Sequence, residues 1–208
     1  IFIIMDSLHT ASIDLQPDFI LWPEAALPSY LRITYAARRP ILRKVHDSGI
    51  PLLTGTPDRI KRENNERDYY NGALYFTPDG SMKMYYKMHL VPFAEYIPFS
   101  ETFPVLKRLN FSQGNFTPGR DFTLFQVDSV SFGNLICYES SIPTIVSQFV
   151  RRGAKFLSIE TNDSWCGHTS GVYQHFQIAR LRAVENRVAI ARSANTGISC
   201  LILPTGEV

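Results

Sequence analysis

Ser131-Phe132-Gly133-Asn134-Leu135-Ile136-Cys137-Tyr138-Glu139 is an apolar run that stops on a cysteine, with a glutamate two residues further on. Ser140-Ser141-Ile142-Pro143 follows, and a serine cap with proline in the first turn predicts a helix start. Cys137 therefore falls where a buried strand gives way to a helix. The partial positive charge of a helix N-terminus favours a thiolate, so this is a fit place for a nucleophile. A lone cysteine on an apolar run is more often a core residue. The functional reading depends on what else the chain brings to the same place.

Working outward, Phe122 to Val127 and Val130 to Ile136 are expected to pair as a hairpin. On the far side, a helix is expected from Ile142 to Arg152, stopping at Gly153. Lys155 to Thr161 reads as a buried strand ending at Asn162-Asp163, and Gly171 to Arg187 as a helix with Val172, Phe176, Ala179 and Ala183 on one face. Val188 to Ser193 and Ile198 to Leu203 are two last strands. Towards the N-terminus, Asp18 to Glu24 reads as a short strand buried on both faces. Pro40 is expected to open a helix ending at Gly49, and Leu52 to Thr56 to form a strand. The charged stretch from Arg59 to Asp68 reads as a solvated hairpin loop. Strands Tyr69 to Thr77 and Ser81 to Tyr86 flank the turn Pro78-Asp79-Gly80. Alternating strands and helices with intervening hairpins place the chain in the α/β or α+β class, with layered sheets.

The chain of 208 residues is long enough for one domain with a full core. It is 45% hydrophobic and 19% charged, with a net charge of +2, which gives no reason to expect a nucleic-acid partner. No apolar run approaches the roughly 20 residues needed to span a bilayer. The three cysteines, Cys137, Cys166 and Cys200, are odd in number and widely spaced, which argues against a disulfide framework. Cys166-Gly167-His168 is at most half a metal site, so neither a metal nor a cofactor is expected.

Glu24, Lys87, Cys137 and Asn162 all fall at strand ends, where ligands bind in α/β sheets. A carboxylate can take a thiol proton, and an ammonium can stabilise the oxyanion of a tetrahedral intermediate. From Met88 to Pro118 there is little regular pattern. Four prolines stand among Phe93, Tyr96, Phe99, Phe103, Phe111 and Phe116, and the stretch reads as a lid or as a structural loop pinned by its own aromatics.

Leu21-Trp22-Pro23-Glu24-Ala25-Ala26, Tyr86-Lys87-Met88-His89-Leu90 and Ile136-Cys137-Tyr138-Glu139 resemble the three signatures of the nitrilase (carbon–nitrogen hydrolase) superfamily. The resemblance implies a four-layer αββα sandwich carrying a Glu-Lys-Cys triad. Lys87 to Phe99 resembles the lysine loop of the apolipoprotein N-acyltransferase family. Asn162-Asp163-Ser164-Trp165, Gln174-His175, Ala179-Arg180 and Arg192 to Gly197 resemble later motifs of that family.

Carried over residue by residue, this implies that Glu24 is the general base, Lys87 the oxyanion stabiliser and Cys137 the nucleophile. Glu95 is implied as a second acid at the site. Tyr138 and Glu139 are implied as supporting or substrate-binding residues, with the Tyr138 N–H helping to hold the oxyanion. The implied reaction moves an acyl chain from a phospholipid, through a cysteine thioester, to the α-amine of a diacylglyceryl-cysteine apolipoprotein at the periplasmic face of a bacterial inner membrane. Residues 1–208 are then expected to be the catalytic domain of a longer membrane protein, cut at both ends, with membrane segments outside this chain. Cys166 departs from the family pattern, standing where an aromatic is expected. A soluble amidase hydrolysing a small amide uses the same triad, and a binding module without turnover is the third reading.

Overall fold

The computed structural model describes residues 2–98, 115–167 and 169–208. Helices α1 (Phe2–Ile13) and α2 (Tyr35–Ser48) precede and follow a two-residue strand, β1 (Ile20–Leu21). The long antiparallel pair β2 (Leu52–Lys61) and β3 (Arg67–Phe76) leads into β4 (Met82–Tyr86). After residues 99–114, β5 (Leu124–Val127) and β6 (Val130–Ile136) form the expected hairpin. Two crossover units follow: β6, α3 (Pro143–Arg151), β7 (Phe156–Thr161), α4 (Gly171–Asn186) and β8 (Ala189–Ala194), with β9 (Cys200–Ile202) antiparallel at the edge.

The strands make two sheets, β1-β2-β3-β4 and β5-β6-β7-β8-β9. Alternation along the strands builds the layers. Leu53, Ala73 and Tyr75 of the first sheet pack with Phe125, Phe132 and Leu135 of the second. Leu52, Leu74 and Phe76 point the other way, onto Ile41 and Val45 of α2. On the outer side of the second sheet, Ile145, Val146 and Phe149 of α3 and Ala179 and Ala183 of α4 close the core. The result is the α/β sandwich of two sheets between helices.

Phe132 is the aromatic hub between the sheets. Its ring stacks on Phe156 at 4.8 Å and meets Phe19, Phe125 and Tyr75 at 5.3, 5.4 and 5.7 Å. Such ring pairs are worth about 0.5–1.5 kcal/mol each beyond area burial. They pin the ends of β6 and β7 opposite to the ends that carry Cys137 and Asn162.

Three local expectations are corrected. Pro40 does not open α2 but lies inside it. The helix starts at Tyr35 because Ala37 and Arg38 bond the Thr34 carbonyl, and Arg38 also ties this turn to the carbonyl of Arg32 at 2.6 Å. The hairpin loop expected from Arg59 to Asp68 is shorter than that: half of the stretch is ladder, in register out to Lys61 opposite Arg67, and the loop is residues 62–66. Backbone pairing is indifferent to side-chain polarity, and Arg62 offsets the charge by gripping Asp68 through two nitrogens. The strand from Asp18 to Glu24 shrinks to Ile20–Leu21: its last ladder bond runs from the Trp22 N–H to Leu53 O, and the chain then turns, with the Ala26 N–H on the Pro23 carbonyl and Ala25 at a φ of 51°.

Candidate active site

The parallel register of β6, β7 and β8 brings their carboxyl ends into line, with Ile136 opposite Glu160 and Thr161 opposite Ala194. Cys137 and Asn162 are the next residues along. In the other sheet Lys87 follows directly on β4. Glu24 lies just beyond β1, where Ala25 takes a left-handed φ of 51° and the chain folds back over β2. That crossing requires Gly55, since a Cβ there would stand 2.7 Å from Ala25 N and 2.8 Å from Glu24 Cα.

The buried Lys87 Nζ lies 2.9 Å from Glu95 and 3.7 Å from Glu24 Oε1. Asn71 Nδ2 donates to Oε1 of both carboxylates at 2.9 Å, so a single amide spaces the two acids around the ammonium. The other Glu24 oxygen accepts from the Asn162 N–H at 2.9 Å, and the other Glu95 oxygen from the Val91 N–H at 2.8 Å. Burial works against charge on Lys87, yet the Glu24 and Glu95 carboxylates outweigh it and hold its pKa above the ordinary value.

Cys137 is buried and takes a left-handed φ of 51°. Burial first, and then the Glu24 carboxylate, push its thiol up to about 12, while Lys87 and the neighbouring Thr161 hydroxyl pull the other way without prevailing. This corrects the expectation of a thiol acidified by a helix start. Cys137 opens only a five-residue 3-10 turn, Cys137–Ser141, and α3 begins later, at Pro143 with Ile142 rather than a serine in the cap position. The resting residue is a thiol and needs a base to react.

Glu139 is wholly buried. Its oxygens accept from Tyr85 OH and from the backbone N–H groups of Ile136, Met88 and His89, at 2.7 to 3.2 Å. It stitches the cysteine turn to the lysine loop, which fits support rather than substrate contact. The Tyr138 side chain is 39% exposed beside it. Trp165 is 69% exposed, next to a buried Cys166.

Several residues at the site had no role assigned from sequence. Asn71 is a polar interruption in an otherwise apolar half-strand, the one signal that could have found it. Glu160 is fully buried, with Oε1 on Asn134 Nδ2 at 2.9 Å and Oε2 without a partner among the described residues, and burial raises its pKa well above the usual carboxylate range. Asp163, His175 and Arg192 lie close behind Cys137. Donor atoms of Cys137, Asp163 and His175 come within 4.8 Å of one another, a spacing a metal could use. The Arg192 guanidinium already stands 2.9 Å from Asp163, and both imidazole nitrogens have partners, so the set is a poor cation site. His168 lies outside the described residues.

An αββα sandwich with an acid, an ammonium and a thiol at one rim is the architecture of nitrilase-type proteins. The carbon-nitrogen hydrolase family model matches residues 5–208, and the chain belongs to that family. A protein of Chlorobaculum tepidum named apolipoprotein N-acyltransferase is 41% identical over 209 residues, covering 88% of this chain and 38% of its own length. One of the same name from Geobacter metallireducens is 34% identical over 195 residues, covering 92% and 37%. The chain thus spans less than two-fifths of the length of these curated relatives. Among solved structures, an amidase from Nesterenkonia sp. superposes with a TM-score of 0.66 at 20% identity, over 98% of this chain and 76% of that one. At that identity the likeness speaks to the fold.

Proposed function

We propose that residues 1–208 are the catalytic domain of a lipoprotein N-acyltransferase, working through a Glu24-Lys87-Cys137 triad. The observation that carries the reading is the meeting of Glu24 and Glu95 on Lys87, beside a cysteine whose thiol needs a base, in a chain whose relatives bear that enzyme's name. Glu24 takes the Cys137 proton as Sγ attacks the ester carbonyl of a phospholipid. Lys87, helped by the Tyr138 N–H, stabilises the oxyanion. The intermediate collapses to a Cys137 thioester, and Glu24 returns the proton to the departing lysophospholipid oxygen. The α-amine of a diacylglyceryl-cysteine then attacks the thioester. Glu24 accepts the amine proton and passes it to the leaving sulfur, giving the amide and the starting thiol.

The surroundings suit an amphiphilic donor. A cleft of about 1260 Å³ beside the lysine loop is lined by apolar Met88, Leu90, Ile97 and Phe116 and by charged residues of both signs, Lys61, Arg62, Arg67, Glu66 and Asp68. Phe93 on that loop is 65% exposed. No helix among the described residues is long and apolar enough to cross a membrane. Placement at the periplasmic face of a bacterial inner membrane follows from the proposed reaction and rests on segments beyond this chain. The proposed lid spans Met88 to Pro118, of which residues 99–114 lie outside the described residues.

The test is mass spectrometry of the whole protein after incubation with phospholipid vesicles or with small amides. An acyl adduct on Cys137 from phospholipid, discharged by a diacylglyceryl-cysteine peptide, is expected. Turnover of small amides with no adduct from lipid would point to an amidase instead.

A further inference from the structure

The left-handed backbone at Cys137 has to be held, because a non-glycine residue there costs about 1–2 kcal/mol. What holds it is visible on the carbonyl of the same residue. Cys137 O accepts from Ser140 Oγ at 2.8 Å and lies 3.1 Å from His175 Nε2. Ser140 Oγ and His175 Nε2 are themselves 2.9 Å apart, so three groups close a triangle on that oxygen. The other ring nitrogen, Nδ1, lies 2.8 Å from Asp163 Oδ1. Asp163 is fixed in turn by Arg192 Nη2 at 2.9 Å and Thr161 Oγ1 at 2.9 Å, and Arg192 Nη1 is anchored on the Ile198 carbonyl at 2.6 Å. Gly197, at a φ of 125°, is required above this cluster, since a Cβ there would stand 2.5 Å from Asp163 Oδ2. Every side chain in the relay from Ser140 to Arg192 is buried.

We propose that His175, aligned by Asp163 and Arg192, is a positioning residue that locks the Cys137 carbonyl and so fixes the turn from which the nucleophilic sulfur projects. The inference rests on the reading of Cys137 as the nucleophile. Desolvation opposes charge on Asp163, but its bonds to His175 and Arg192 outweigh that and hold its pKa low, so the anchor is an anion. The relay runs from β8 through the turn after β7 and α4 to the end of β6, tying the second sheet's rim to one backbone oxygen. His175 is not the base of the reaction. Nε2 lies against Cys137 O and Ser140 Oγ, and Nδ1 against Asp163 Oδ1 and, at 3.2 Å, Arg192 Nη2, while the carboxylate placed to take the thiol proton is Glu24.

The experiment compares wild type, His175→Ala and His175→Gln in the whole protein. It measures single-turnover acylation from phospholipid vesicles, KM, and Cys137 alkylation by iodoacetamide from about pH 7 to 10. Loss of the ring should lower the acylation rate by about 100-fold, the scale of a misplaced reacting group, with KM unchanged. The shape of the alkylation profile should stay that of wild type. His175→Gln, whose amide can still donate to the Cys137 carbonyl, should recover part of the rate. A changed profile would make the ring an acid–base partner of the thiol and overturn the proposal, as would a folded His175→Ala with wild-type acylation. If His175→Ala does not fold, Ser140→Ala carries the test, with a fall of about tenfold expected and a wild-type rate overturning it. Alkylation does not depend on the lipid substrate, so a wrong acyl donor would show as wild type inert towards phospholipid while the profiles still judge His175.

Discussion

Glu95 turns inward from a loop of exposed neighbours to meet the Lys87 ammonium at 2.9 Å. The chain accepts a carboxylate in this apolar loop because the pairing offsets its desolvation. Lys87 is thereby held between two acids and kept charged, as its proposed oxyanion role requires. Glu95→Gln keeps one acceptor oxygen for Lys87 and the Val91 N–H but removes the charge and turns an amide NH2 towards Asn71 Nδ2. The expected outcome is a loss of about 1–2 kcal/mol in stability, below the full cost of orphaning a buried ion because Glu24 remains, and about a tenfold slower acylation. Denaturation and single-turnover rates check this, and an unchanged rate would show that Glu95 is structural only.

The height of the Cys137 pKa sets its pH behaviour. An unperturbed thiol levels off in alkylation above about pH 8.5. With its thiol pushed up to about 12, Cys137 should keep gaining in reactivity through about pH 10, roughly tenfold per pH unit. Iodoacetamide labelling resolved by mass spectrometry measures this. A plateau near the ordinary value would mean that Lys87 outweighs burial after all. Cys137→Ser should form no acyl adduct.

Glu160 gives a stability prediction with a definite sign. Burial raises its folded pKa well above the usual value, so the folded state keeps a proton that the unfolded chain releases near pH 4.3. Its contribution is complete below the unfolded pKa and is lost as pH rises towards the folded one, at up to about 1.4 kcal/mol per pH unit. Glu160→Gln carries no such group. The variant should gain on wild type as pH rises above the unfolded value of about 4.3, and parallel stability curves in pH-dependent melts would refute the assignment.

Phe93 tests the lipid reading. Its ring is 65% exposed on the loop that carries Lys87 and Glu95. If the ring meets lipid, burying it is worth about 1.5–3 kcal/mol, so Phe93→Ser should raise KM for vesicle phospholipid by roughly tenfold or more with kcat little changed. Equal KM values for the two proteins would remove Phe93 from the membrane-facing surface.

The strand-end words Trp22-Pro23-Glu24, Tyr86-Lys87 and Ile136-Cys137 could be read from sequence because each joins an apolar period to a chemical group at its end. The layered α/β class and the β5–β6 hairpin followed from the same periodicities. The inward turn of Glu95 was also foreseeable, since a carboxylate among apolar residues needs a cation. Asn71 stood out only as a polar interruption of an apolar half-strand, and nothing local distinguishes an amide that spaces two acids from one that faces solvent. The start of α2 was missed because it is set by a loop carbonyl reaching Arg38, while the sequence offered Pro40 as the conspicuous signal.

By itself the sequence determined which groups stand at strand ends, since that depends on patterning within a few neighbouring residues. Only the tertiary structure decided their state. Cys137 reads as an acidified thiol from its neighbours in sequence, yet burial and the approach of Glu24, 113 positions earlier, reverse the direction. The relay through His175, Asp163 and Arg192 likewise joins residues far apart along the chain on one carbonyl. Desolvation and charge act through space, and the distances that govern them exist only once the two sheets have packed.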